Sequence, residues 1–158
     1  VKVESIINNR LDQNKLAKIS AECHEDLGRS KLVFDDILFT IAGTLGRTAI
    51  VREENLPANT NQAVSIIRLL DGANPRFIQY QLNLHATKVS ISKMLSVGAQ
   101  PNLNLQQVGS IVISYPCSIE QNKICEFIQP VERIIYQLSD KLDLAKAFKK
   151  GLLQQMFV

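Results

Sequence analysis

Chemistry in this sequence would have to start from a few places. Asp35–Asp36 and Glu53–Glu54 are paired carboxylates, the raw material of a metal site or an acid–base pair. Both pairs lie in stretches that read as extended, where successive side chains point to opposite faces, so neither pair is expected to converge. Cys23 and His24 are adjacent, but the only other histidine is His85, which leaves a metal without a ligand set. The stretch "GTLGR" (43–47) has the glycines of a nucleotide cradle but not the lysine that holds phosphates. The phosphate loop, the dinucleotide fingerprint and the serine nucleophile elbow are all missing. The GxxG spacing itself resembles a backbone clamp on nucleic acid, yet that clamp joins two helices and β-like runs flank this one. These residues predict a chain that catalyses nothing and holds no metal.

What the chain does offer is hydrogen bonding. From Asn55 to Ile119 the only acidic residue is Asp71, against Arg68, Arg76, Lys88 and Lys93. The same segment is rich in carboxamides, including Asn59, Asn61 and Gln62. A surface poor in carboxylates and rich in amides tolerates a polyanion and can bond to it. Asparagines also populate turns for purely local reasons, so both readings stand at this point.

The elements that must position these groups follow from pattern. "KLVFDDILFTI" (31–41), "RTAIVR" (47–52), "QAVSIIRLL" (62–70) and "SIVISY" (110–115) are short β-branched runs bounded by Gly, Pro and Asn, and they predict strands. "GTLG" is then the turn between the first two, with glycine where φ becomes positive and with Thr44 and Arg47 projecting from the turn and its exit. "SAECHEDLG" predicts a short capped helix. In "NPRFIQYQLNLHATKVSISKML", Asn74 suits an N-cap and Pro75 the first helical position, with Phe77, Ile78, Leu82, His85 and Val89 along one face. Ser118 with Gln121 fits a capping box that opens a short helix, and Pro130 predicts a break after it. Beyond the break, Val131, Ile135, Leu138, Leu142 and Ala145 alternate in steps of four and three. Lys149 interrupts the series and Leu152 restores it. That is the apolar seam of a coiled coil, on a helix of ~40 Å. The fold class is α+β: a small mixed β-rich domain with short helices over residues 1–117, then a helical segment over 118–158 ending in a long coiled-coil helix.

Hydrophobic residues make up 46% and charged residues 21% of the 158, an ordinary globular composition with net charge +3. No signal peptide or membrane span is readable. The chain begins at Val1, as an excised piece of a longer protein would. Cys23, Cys117 and Cys125 are odd in number and read as reduced, buried thiols of a cytoplasmic protein.

Six stretches in order, "FDDILFTIAGTLGRTAIV", "ANTNQAVSIIR", "GAQPNLNL", "SIVISYP", "EQNKICEFI" and "KKGLLQQMF", resemble the specificity subunit of type I restriction–modification systems over roughly Lys31 to Phe157. The family's "PPL" before the short helix is "YPCSI" here, a departure that bears on local packing. The resemblance implies a target recognition domain followed by a spacer helix, without a cofactor of its own. Such subunits usually carry two units in tandem with antiparallel helices, each unit reading half of a split site in double-stranded DNA. Two modification (methyltransferase) subunits dock on them and methylate adenine using S-adenosylmethionine, and restriction subunits join indirectly, using ATP with magnesium. One unit alone implies either the C-terminal half of a longer subunit or a half-length form that pairs with itself through Val131, Ile135, Leu138, Leu142, Ala145 and Leu152.

The residues expected at DNA are Thr44 and Arg47 from the glycine turn, Asn59, Thr60, Asn61 and Gln62 from the amide cluster, and Lys88 and Lys93 after the helix. Arginine engages guanine and carboxamides engage adenine with two bonds each, while lysines hold phosphates. For "NTNQA" the other reading is loop bracing by side chain to backbone bonds; for Arg47 it is a surface ion pair with Glu53 or Glu54. The stretch from Leu95 to Asn104 is the alternative DNA-facing surface. A different class of function also fits: a coiled-coil assembly protein whose β-domain binds protein or RNA.

Overall fold

A computed structural model describes residues 1–70, 72–95 and 101–157. Asp71 and residues 96–100, including Gly98, Ala99 and Gln100 of the "GAQPNLNL" stretch, lie outside the described residues, as does much of the Leu95–Asn104 surface. The chain divides into two compact units, Val1–Ser118 and Ile119–Val158.

The first unit is built on a three-stranded antiparallel sheet in the order β4–β3–β5, with β3 at Ile37–Thr40, β4 at Thr48–Ile50 and β5 at Val64–Ile67. Leu38 pairs with Ala49 on one side and Ile66 on the other. All four residues of β3 are buried, so its sequence reads as a near-continuous apolar run without polar alternation. Leu38 packs with Ile6, Leu32, Ala49, Val51 and Val64. The pleat turns Ile37 and Phe39 to the opposite face. Ahead of the sheet, β1 (Ile6–Ile7) and β2 (Arg10–Leu11) form a small antiparallel hairpin, followed by helix α1 (Ala21–Asp26). The Ser20 hydroxyl caps α1 by accepting the Cys23 N–H at 3.1 Å.

Helix α2 (Pro75–Asn83) begins as its signals require: Asn74 Oδ1 accepts the N–H groups of Arg76 and Phe77, and Phe77, Ile78 and Leu82 are buried. The expected continuation of that face does not occur. Leu84 takes an extended ψ of 144°, the chain restarts as α3 (His85–Lys93), and the new helix buries Thr87 and Ile91, leaving His85 and Val89 exposed. The restart is braced by the Thr87 hydroxyl, which donates to the Gln81 carbonyl at 2.7 Å.

Other expectations are corrected. The run 110–115 is not a strand. It follows the short helix α4 (Leu105–Gly109), leaves Val112 and Tyr115 exposed, and bonds through the Ser114 N–H to the Gln81 side chain instead of a ladder. β-branched composition suits a strand but cannot supply the paired edge that makes one. Glu53 and Glu54 sit on a tight 3-10 turn, not an extended segment. Of the cysteines, Cys125 is buried, Cys23 is partly exposed and Cys117 is exposed beside that unpaired segment. Asp35 and Asp36 do part company, one to Arg52 and the other to Arg68.

The second unit is built on helix α5, which starts at Ser118, the last residue of the first unit, and runs to Met156, 39 residues without a break. Ser118 is its first residue, and Pro130 lies inside it. Proline removes one helical hydrogen bond, here to the Glu126 carbonyl. Both Pro130 and Glu126 are exposed, so water can take the freed acceptor and the helix continues. No helix of the described residues is long and apolar enough to cross a membrane.

Candidate nucleic-acid interface

The turn between β3 and β4 is a loop of residues 41–46 in which Gly43 and Gly46 take φ of +71° and +74°. A side chain there would meet no steric clash, but the backbone conformation is one that residues with a Cβ seldom adopt. Thr40 closes the loop: its hydroxyl donates to the Thr44 carbonyl at 2.5 Å and accepts the Arg47 N–H at 2.9 Å. Ile41 then joins distant parts of the chain. Its N–H donates to the Ala63 carbonyl at 2.9 Å and its carbonyl accepts the Leu103 N–H at 2.8 Å. The glycine turn, the end of "NTNQA" and the "PNLN" segment therefore meet at one residue.

At this junction the polar side chains take different roles. Thr44 is exposed. Arg47 is partly exposed, and its guanidinium donates to the Ile6 carbonyl at 3.2 Å, tying the loop exit to β1. Asn59 is buried at 7% exposure, and its amide is taken up internally by His24, the Leu27 carbonyl and the Ser30 hydroxyl. Asn61 Oδ1 accepts the Ala63 N–H at 3.3 Å, and the Thr60 hydroxyl reaches only the Asn61 carbonyl at 3.4 Å. Gln62 is exposed. Lys88 and Lys93 are both exposed on α3.

Two features escaped sequence reading. Asn8 and Asn9 both have positive φ, 50° and 60°, and form the turn between β1 and β2. Asparagine tolerates this region, so "NN" between Ile6–Ile7 and Arg10–Leu11 is a hairpin signal present in the sequence. Asn9 then anchors a polar chain: its carbonyl accepts from Gln79 at 3.0 Å, and the Thr48 hydroxyl links Asn9 to Asn83 at 3.3 and 2.7 Å. This fastens the N-terminal hairpin and α2 to the start of β4. The second feature is Asp36, whose fully buried carboxylate accepts both arms of Arg68 at 2.7 Å and the Val33 N–H at 2.8 Å. The hydrogen bonds to Asp36 push Arg68 above the usual guanidinium value. An acidic residue inside an apolar run was the signal.

The arrangement holds no cluster of three or more metal-ligating side chains among the described residues. It is a braced framework that presents an exposed glycine loop at the end of the amide segment, with Lys88 and Lys93 exposed separately on α3.

Residues 5–144 match the family model described as the type I restriction modification DNA specificity domain. The chain belongs to this family. The match spans both units. A Methanocaldococcus jannaschii protein assigned as the type I restriction enzyme MjaX specificity subunit is 24% identical over 164 residues, covering 99% of this chain and 38% of that protein. The Escherichia coli type I restriction enzyme EcoBI specificity subunit is 27% identical over 159 residues, covering 99% of this chain and 33% of its own length. A chain from a solved structure of a type I R-M system, described for its complex assembly and conformational transition, superposes with a TM-score of 0.65 at 15% identity. That superposition covers 98% of this chain and 36% of the other, and it establishes a shared fold. The chain thus spans about a third of the length of the proteins it matches.

Proposed function

We propose that this chain reads one half of a bipartite site in double-stranded DNA for a type I restriction–modification enzyme, without catalysing a reaction itself. The observation that carries this reading is the convergence of the glycine turn, the amide turn and Leu103 on Ile41 in a member of the specificity-domain family. Thr44, Gln62 and the unused donors of Arg47 face bases. Asn59, Thr60 and Asn61 brace the frame that holds them. Lys88 and Lys93 hold phosphates. Methyl transfer falls to modification subunits with S-adenosylmethionine, and cleavage to restriction subunits with ATP and magnesium. The apolar stripe of α5 pairs with a second recognition unit, either a tandem half or another copy. A pairing helix of ~40 Å compares with the 34–36 Å of one DNA turn, so two domains at its ends reach the same side of a duplex. A chain with this role acts in the cytoplasm, where the DNA is.

With net charge +3 and few phosphate contacts, the chain alone binds duplex weakly, with an affinity that falls as salt rises, and modification subunits make binding tight and specific. Titration with duplex DNA, with and without those subunits, tests this; binding that stays indifferent to sequence in the assembled complex sinks the reading. In the same assay Lys88→Ala or Lys93→Ala weakens binding to every sequence and reduces the salt slope by about one.

A further inference from the structure

We infer that Thr40 is a positioning residue for base recognition: its buried hydroxyl sets the loop that carries Thr44 and Arg47 to the duplex. The inference rests on the DNA reading above. Thr40 is the last residue of β3 and is fully buried. Beyond its two hydroxyl bonds to Thr44 and Arg47, its carbonyl accepts the Gly46 N–H at 3.0 Å and its N–H donates to the Arg47 carbonyl at 3.0 Å. One residue therefore fastens the loop at three positions, Thr44, Gly46 and Arg47. The glycines that allow the turn cannot do this, since they bring no side chain and increase the freedom of the backbone. A base contact tolerates little positional error, so a loop loosened by about 1 Å loses discrimination before it loses fold.

Valine keeps the β-branched shape of threonine and replaces the hydroxyl with a methyl, leaving the Arg47 N–H without its acceptor and the Thr44 carbonyl without its donor; serine keeps the hydroxyl. The chain is assembled with modification subunits and S-adenosylmethionine on duplexes randomised at the half-site, and methylated sequences are counted. Thr40→Val lowers the ratio of preferred to non-preferred sites by about fivefold, the low end of one good base contact, while Thr40→Ser stays within about twofold of wild type. If Thr44→Ala or Arg47→Ala shifts the ratio and Thr40→Val does not, the positioning role fails and the DNA reading stands. If none of the three shifts it, the loop does not face bases and the inference fails. A wild-type chain with no preference sinks the DNA reading itself. Should Thr40→Val not fold, amide exchange in the wild type decides. Gly46 and Arg47 amides as slow as that of Leu38 support the bracket, and exchange at open-loop rates overturns it.

Discussion

The two units treat their apolar residues in opposite ways. In Val1–Ser118 the large side chains of β3, β4 and α2 are buried, while α5 leaves Val131, Ile135, Leu138 and Leu142 more than half exposed. Ala145 and Leu152 extend the same exposed stripe. The first pattern is that of a unit stabilised by its own core. The second is that of a helix whose apolar face needs something outside itself, because an exposed stripe of that length is a liability for an isolated chain. The buried core of the first unit and the exposed stripe of α5 lie in different parts of the chain and can be perturbed separately.

Phe39→Ala tests the first half most severely. Removing a fully buried aromatic from the central strand costs about 3–5 kcal/mol, a large part of the stability of a small domain. Denaturant unfolding of the first unit measures it; a loss below about 1 kcal/mol would mean that the β3 core does not hold the unit together.

Asp36→Asn sharpens the same point at a polar position. The substitution leaves the guanidinium of Arg68 without its charge partner, though Arg68 is 56% exposed and water compensates part of the loss. The expected destabilisation is about 1–3 kcal/mol, below that of Phe39→Ala. An unchanged midpoint in urea would show that the buried carboxylate contributes nothing net, as some buried ion pairs do.

The smallest effect on stability is expected where the effect on assembly is greatest. Ile135→Asp with Leu138→Asp changes the unfolding of the first unit by less than about 0.5 kcal/mol, since both residues are surface positions of α5. The same double variant gives monomers by light scattering where the wild type gives a paired species. A wild-type chain already monomeric at high concentration removes self-pairing as the role of the stripe.

Local signals were legible wherever neighbours in sequence decide the outcome. The Ser20 and Asn74 caps, Pro75 at the start of α2, and the apolar runs at Ile37–Thr40, Thr48–Ile50 and Val64–Ile67 all led to the elements observed. The failures fall where partners distant in the chain, or solvent, overrode the local pattern. Residues 110–115 have strand composition without a strand partner, Leu84 breaks a pattern whose period continued through it, and exposed Pro130 is carried by a helix it was expected to end.

The candidate site divides along the same line. Residue types and order alone determined that the chain combines a small mixed α+β domain with a long apolar-striped helix, and which stretches hold its turn glycines, amides and lysines. Tertiary structure alone decided that Asn59 is buried by internal bonds while Gln62, three positions on, is exposed. It also decided that Ile41, Ala63 and Leu103 meet. Sequence patterns report the conformation each segment prefers. Which polar atoms remain available depends on which distant backbone groups reach them first, and only the folded chain sets that.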